Sequence, residues 1–324
     1  MTPAAILARL CALCGTDTPL RCAVAWSGGL DSTVLLHLLR GARRLPRSRL
    51  SVRAIHVDHG LQPAAADFRR FCVRTARRWQ LPLKVVKVEV RIARGDSLEQ
   101  AARQARRAAM AAALAPGEWL LTAQHADDQL ETVLLALLRG AGPAGLAGMP
   151  ARMPLGDSFL LRPLLDVQRE QILAYARAGK LAWVDDPTND QLRFDRNYLR
   201  AQVVPPMKDR WPAVARTVAR SARHCAAAAA VLEQAAQRDL ALAADGPDLH
   251  ITVLRRWGRE RRAAVLRAWI QAAGARAPNE RHMVQIEAML AARIDAHPEL
   301  RLPDLTIKRT GPRLHRMVPA TKRR

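Results

Sequence analysis

Apolar positions in the first 140 residues fall into short continuous runs separated by longer helical stretches. Arg21-Cys-Ala-Val-Ala-Trp26 has strand length and ends in Ser27-Gly-Gly-Leu-Asp-Ser32. Thr33-Val-Leu-Leu-His-Leu-Leu39 is then apolar enough for a buried helix. Leu50 to Val57 is a second β-rich run, closed by Asp58-His59-Gly60. Pro63 to Trp79 reads as a helix with proline near its first turn. Leu83 to Val90 is strand-like, Leu98 to Leu114 is a long Ala/Arg helix, Glu118 to Ala123 is a fourth strand, and a helix runs from Ala126 to about Arg139. Strands alternating with helices predict a parallel sheet with crossover helices, a Rossmann-like α/β domain whose ligands sit beyond the C-terminal strand ends.

The pattern changes after Gly140. Gly140, Gly142, Gly145 and Gly148 with Pro143 and Pro150 read as a flexible loop. Asp166 to Ala178 is a further helix, Val184 to Asp190 a loop, and Pro205-Pro206 a break. Trp211 to Ala244 looks like one long alanine-rich helix, followed by a compact helical unit with a short β-like tail. The expected organisation is an α/β domain over 1–204, a helical connector over 205–245 and a small, mainly helical domain over 246–324.

Composition supports a folded chain of two or three domains: 324 residues, 49% hydrophobic and 25% charged, exclude global disorder. Charges or prolines interrupt every apolar run before the ~18 residues that a membrane span needs. Only Arg9 precedes the first short apolar stretch, which makes a poor secretion signal, so a cytoplasmic protein without membrane partners is expected. Five irregularly spaced cysteines argue against a disulfide framework, and Cys11-Ala-Leu-Cys14, without a second pair, reads as ordinary helix. The net charge is +23; residues 201–324 carry 23 basic and 11 acidic side chains. Such a chain attracts polyanions. Aromatics are only 4%, so a folded RNA held by its phosphates fits better than a surface of stacked bases.

The loop Ser27, Gly28, Gly29, Leu30, Asp31 and Ser32 lies between a strand and a helix N-terminus. Glycines allow close backbone approach, and the helix N-terminus favours negative charge, so the loop suits phosphate. Asp31 cannot hold phosphate directly; its natural task is a magnesium ion bridging the phosphates. No lysine follows the glycines, which excludes the G-x-x-x-x-G-K-[ST] loop. Further on, His125, Asp128 and Glu131 are three apart and share one helical face at a strand end, with Thr132 four from Asp128. Asp127 and Asp128 could simply complement the helix dipole. That reading leaves His125 and Glu131 unexplained. A zinc site adding His56 or His59 ranks behind magnesium.

Ser27–Ser32 resembles the PP-loop of the N-type ATP pyrophosphatases, which grip the β and γ phosphates and adenylate a substrate oxygen. An ordered series follows it: His56-Val-Asp-His-Gly60, Glu99 to Arg106, Gln124 to Glu131, Arg139 to Met149, Arg162-Pro-Leu-Leu165, Asp186-Pro-Thr-Asn189, then Arg196-Asn197 and Arg200. This series is similar to bacterial tRNA(Ile)-lysidine synthetases, densely over about residues 20–202 and loosely to the end. Gln124 stands where the family often has His, and Arg107 where it often has Tyr. The resemblance makes 1–204 the catalytic domain and 246–324 the one that binds RNA, and the chain is expected to stop short of a second C-terminal domain found in longer members.

The resemblance implies ATP and Mg2+ as cofactors and two substrates, free L-lysine and tRNA(Ile) with a CAU anticodon, whose wobble cytidine is adenylated and then attacked by lysine. It also suggests a homodimer. It assigns catalysis to Asp31, Asp128 and Glu131, metal to Asp31 and Asp128, and nucleotide contacts to Ser27–Ser32, His56, Arg106 and His125. Arg103, Arg139, Arg196, Asn197 and Arg200 become candidate RNA or substrate contacts. A PP-loop tRNA thiolase would need paired cysteines after the loop, but only Cys72 and Cys225 follow it, far apart. A non-catalytic RNA binder with a decayed site is the other alternative.

Overall fold

The computed structural model describes residues 1–15, 20–58, 65–88, 98–186 and 191–318, without the side chains of 65, 98–100 and 102. The motif residues His59, Gly60 and 187–189 therefore lie outside the described residues. The chain divides into two compact units, Met1–Cys225 and Ala226–Arg324.

In the first unit, helix α1 (Pro3–Cys14) leads into strand β1 (Leu20–Ala25), helix α2 (Leu30–Arg43), β2 (Leu50–Asp58), α3 (Ala65–Trp79), β3 (Leu83–Lys87), α4 (Leu98–Ala113), β4 (Trp119–Leu121) and α5 (Ala126–Leu138). The short helix α6 (Pro143–Leu146), strands β5 (Arg152–Leu155) and β6 (Ser158–Leu161), and helix α7 (Arg169–Ala178) follow. The sheet order is β3-β2-β1-β4-β6-β5, all parallel except β5, which pairs antiparallel with β6.

Strand β1 is covered on both faces, and its side chains divide between them with the period of two that a strand imposes. Cys22 and Val24 pack with Leu10, Leu35 and Ile172 from α1, α2 and α7. Ala23 packs with Ile55, Leu120 and, from α4, Met110 and Ala113. From β1 the chain moves outward to β2 and β3, then crosses to β4 on the other side of β1. The C-terminal ends of β1 and β4 are thus the switch point, where the two outgoing connections diverge and leave a crevice. The loop at Ser27 and the start of α5 are those connections.

Two features of this unit depart from the expectation. The stretch read as a glycine-rich loop contains α6, and behind it lies the β5–β6 hairpin, which gives the parallel sheet one antiparallel edge. After α7 come α8 (Asp195–Tyr198), a π-helical turn (Leu199–Val203), α9 (Val204–Arg210) and α10 (Val214–Ala243), a helix that crosses the division between units. The prolines read as a break explain the π turn. Pro205 and Pro206 carry no N–H for the carbonyls four residues back, so the turn before them widens. Val204 N–H bonds to Leu199 O, five residues back.

The second unit is helical with more β-structure than a short tail. β7 (Ala244–Asp245), β8 (Asp248–His250), α11 (Ile251–Leu254), α12 (Arg259–Ala272), α13 (Glu280–Ala291), β9 (Glu299–Arg301), β10 (Thr306–Thr310) and β11 (Arg313–Met317) build it. Its antiparallel sheet has the order β7-β8-β11-β10-β9. Leu249, Leu266, Trp269, Ile286, Ile307 and Leu314 form its core. Arg309 is buried there because its guanidinium takes the free carbonyls at the end of α13: Nη1 donates to Met289 O at 2.8 Å and Ala292 O at 2.6 Å.

Candidate active site

The loop after β1 is built to present backbone N–H groups. Gly28 has φ +91°, a conformation that side-chain-bearing residues rarely adopt, and a Cβ there would meet Cys72 Sγ at 3.1 Å and Phe71 at 3.3 Å. Ser27 and Ser32 lock the turn from inside. Their hydroxyls lie 3.0 Å apart, Ser27 N–H donates to Ser32 Oγ at 3.3 Å, and Gly29 N–H donates to Ser27 Oγ at 3.2 Å. Helix α2 then starts at Leu30 with no side-chain cap. Uncapped N–H groups at a helix start favour an anion.

The start of α5 meets this loop through His125. The ring is buried, with Nε2 at 3.7 Å from Asp31 Oδ2 and 3.5 Å from Asp128 Oδ2, and Nδ1 at 3.7 Å from Asp127 Oδ2. Burial works to lower the His125 pKa, but the pull of Asp31, Asp128 and Asp127 outweighs it and raises the ring above the ordinary histidine value. The dipole reading of the aspartates holds in part, since Asp128 Oδ2 accepts the His125 N–H at 3.1 Å. Asp127 points elsewhere. It accepts from Lys208 Nζ and, at 2.9 Å, from the Arg169 N–H. Burial would raise the Asp127 pKa; these hydrogen bonds and the Lys208 charge overcome that and hold it below the ordinary carboxylate value.

One turn along α5, Glu131 is 2% exposed and held by two arginines. Arg196 Nε donates to Oε2 at 2.8 Å, and Arg200 donates to both oxygens at 2.8 and 2.9 Å. Arg196 also reaches Thr132 Oγ1 at 2.8 Å, and Arg200 Nη2 reaches Asp128 Oδ1 at 3.2 Å. The i, i+4 spacing of the two arginines did place them on one face. That face turns toward the carboxylates, so both guanidiniums are already engaged by acids.

These groups border a cavity of about 400 Å³ at the switch point, within the range of small-ligand pockets. Ser27, Gly29, Asp31 and Ser32 line one side; Asp128 and Arg196 line another; His56, Asp58, Arg106 and Asp186 complete the polar wall. Trp26, Ile55, Phe68 and Met110 supply apolar surface suited to a base. His56 is both a satisfied core histidine and a wall residue: its Nδ1 donates to Trp26 O at 2.9 Å, and burial lowers its pKa. Gly28, Leu30, His125 and Glu131 stand behind the wall. Arg103 and Arg139 are exposed and do not line the cavity, and Asn197 donates to Gln191 O at 3.1 Å. Lys208 is the site residue that sequence reasoning missed. It lies 81 positions from Asp127 and beyond the expected end of the catalytic domain, and no spacing rule connects the two.

Fold and loop together define a PP-loop nucleotide-binding protein, and the PP-loop domain family matches residues 4–207. The TilS substrate binding domain family matches residues 249–315. The chain is 44% identical over 301 residues to the tRNA(Ile)-lysidine synthase of Methylococcus capsulatus, covering 92% of this chain and 68% of that protein. It is 46% identical over 298 residues to that of Alkalilimnicola ehrlichii, covering 91% and 66%. The chain belongs to the tRNA(Ile)-lysidine synthase family and spans about two thirds of the length of these relatives. Among solved structures, the U34-tRNA thiolase NcsA from Methanococcus maripaludis shares the fold, with TM-score 0.53 at 16% identity over 68% of this chain and 78% of that one.

Proposed function

We propose that this protein ligates free L-lysine to the wobble cytidine of tRNA(Ile) bearing a CAU anticodon, consuming ATP and releasing AMP and pyrophosphate. The observation that carries this reading is the convergence of the Ser27–Ser32 loop and the acidic face of α5 on one cavity. The N–H groups at the start of α2 take the terminal phosphates, which leaves the α-phosphorus for the cytidine carbonyl oxygen. Trp26, Ile55 and Met110 pack the adenine. Arg106 and Arg196 balance charge on the departing pyrophosphate.

The residues fit a magnesium ion. Asp31 Oδ1 is buried without a hydrogen-bond partner among the described residues, and Asp128 faces the same cavity. No group of three or more His, Cys, Asp or Glu among the described residues could hold a metal alone, so one or two carboxylates and phosphate oxygens would share it. When bound, the ion neutralises phosphate charge.

Lysine must lose a proton before it attacks, because its side-chain pKa is ~10.4. Asp128 is the carboxylate at the cavity wall, so we assign it contact with the amine. Glu131, behind the wall and spanned by two guanidiniums, holds Arg196 and Arg200 in place. The thiolase alternative lacks its chemistry here: no cysteine lines the cavity among the described residues, and Cys72 is fully buried, with its thiol pKa pushed up by burial to about 12. Reaction takes place where tRNA and ATP meet, in the cytoplasm. No described helix is long and apolar enough to cross a membrane.

The test is incubation with tRNA(Ile) transcript, Mg-ATP and radiolabelled lysine. Label in the tRNA that requires both ATP and lysine is expected; its absence, or transfer from a sulfur donor instead, overturns the reading. Asp31→Ala is expected to abolish AMP release while tRNA binding stays within about threefold, since Asp31 acts on phosphate charge and not on the RNA.

A further inference from the structure

Lys208 belongs to α9, the helix that continues from the π turn carrying Arg200. Its ammonium donates to Asp127 and, at 2.7 Å, to Glu170 Oε1. Asp127 is 4% exposed and does not line the cavity. It is the carboxylate on the far side of the His125 ring: Asp127 Oδ2 faces Nδ1 at 3.7 Å, while Asp31 and Asp128 face Nε2 at 3.7 and 3.5 Å. All three separations exceed a normal hydrogen bond, and Nδ1 is buried with no hydrogen-bond partner among the described residues. The ring is therefore balanced between carboxylates and not pinned by any one of them.

From this geometry we infer that Lys208 is a positioning residue for the reaction, holding Asp127 back so that the His125 ring stays turned toward Asp31 and Asp128. The physical reason is competition. A buried carboxylate without its cation must find a donor, because an unpaired buried charge has lost its hydration without compensation. His125 Nδ1 already lies 3.7 Å from Asp127 Oδ2. Closing that 3.7 Å gap would draw Nε2 away from the two cavity carboxylates. Arg169 N–H holds Oδ2, the oxygen facing the ring, and Lys208 holds Oδ1, so losing Lys208 leaves the carboxylate to turn on that one remaining bond. The inference rests on the proposed reaction only in taking Asp31 and Asp128 as the groups that meet the nucleotide and lysine.

Three variants and three readouts test it. The variants are Lys208→Met, Lys208→Arg and the double change Lys208→Met with Asp127→Asn. The readouts are Tm, the kcat and KM of tRNA-dependent AMP release, and the imidazole 15N signals of histidine-labelled protein, with His125 assigned through His125→Gln. Lys208→Met is expected to lower kcat at least about tenfold with KM for lysine within about twofold, as a displaced group costs chemistry more than binding. It should also shift the His125 signals. Lys208→Arg should restore both to near wild type. The double variant, having no unpaired carboxylate to compete for the ring, should recover Tm, kcat and the wild-type His125 signals. The inference is overturned if Lys208→Met lowers Tm but leaves kcat per folded molecule within about twofold of wild type, which would make Lys208 a structural staple, or if the double variant regains Tm but neither kcat nor the His125 signals. It is equally overturned if the His125 signals of Lys208→Met match wild type. Wild-type protein that makes no lysidine would defeat the proposed reaction, while the 15N comparison would still decide the link from Lys208 to His125.

Discussion

The same parallel sheet carries a cluster of buried charge at each edge. Toward the N-terminal edge, Arg53 of β2 meets Glu118, just before β4. Arg53 Nε donates to Glu118 Oε1 at 2.6 Å, its Nη2 donates to Oε2 and, at 2.8 Å, to Ala113 O, and Ala115 N–H donates to Oε2 at 3.0 Å. This is a closed pair of one cation and one anion, both carboxylate oxygens used. At the C-terminal edge, Asp31, Asp127, Asp128 and Glu131 crowd around His125, Arg196, Arg200 and Lys208, and among the described residues both Asp31 Oδ1 and His125 Nδ1 go without hydrogen bonds. Residue types are similar at the two edges. The difference is saturation: a structural pair satisfies its atoms internally, whereas a site keeps some in reserve for a ligand.

The comparison breaks first, and with the largest effect, at Asp128. Asp128→Asn keeps the shape and the His125 backbone contact but removes the charge facing the cavity. Lysidine formation should fall by about a thousandfold, the scale of losing one proton-handling or charge-stabilising group, with Tm nearly unchanged. If steady-state turnover stays within tenfold of wild type, the open edge is not the reactive one.

Next comes the closed pair. Glu118→Gln leaves the Arg53 guanidinium, 21% exposed, without its anion. Removing one partner of a buried pair costs about 3 kcal/mol, seen as an earlier urea midpoint with unchanged slope. Activity per folded molecule should not change. A loss of turnover in fully folded Glu118→Gln would show that the two edges are coupled.

How much of this was legible depended on how local each signal was. The β1–loop–α2 unit could be read because an apolar run, two glycines and a second apolar run are contiguous. The α5 face could be read because helical periodicity carries His125, Asp128 and Glu131 together. The hairpin at 152–161 escaped because its strands are four residues each and one contains Pro154, a residue that argues against a strand. The sheet of the second unit was hidden by its arginines: Thr306-Ile-Lys-Arg-Thr310 does not look half-buried until Arg309 is seen taking carbonyls from α13. Lys208 and the double clamp on Glu131 were illegible for a different reason. Both depend on contacts more than 60 residues apart in sequence, and the clamp also needs a π turn that the prolines enforce.

The smallest effect separates the edges by pH. Burial alone would raise the Glu118 pKa, but the hydrogen bond and charge of Arg53 outweigh it and hold the folded value below the ordinary 4.5. A depressed carboxylate pKa stabilises the fold fully above the unfolded value, and that stability is lost as pH falls through the folded one. The gap in unfolding free energy between wild type and Glu118→Gln should therefore be constant from pH 7 to about 5, then close by at most about 1.4 kcal/mol per pH unit as one proton binds. Glutamine cannot titrate, so the closing gap belongs to this carboxylate even while the acids of the other edge protonate in both proteins. A gap that persists unchanged to pH 3 would mean that Glu118 contributes through its shape and hydrogen bonds, and the contrast between a charge-saturated edge and an open one would lose its electrostatic basis.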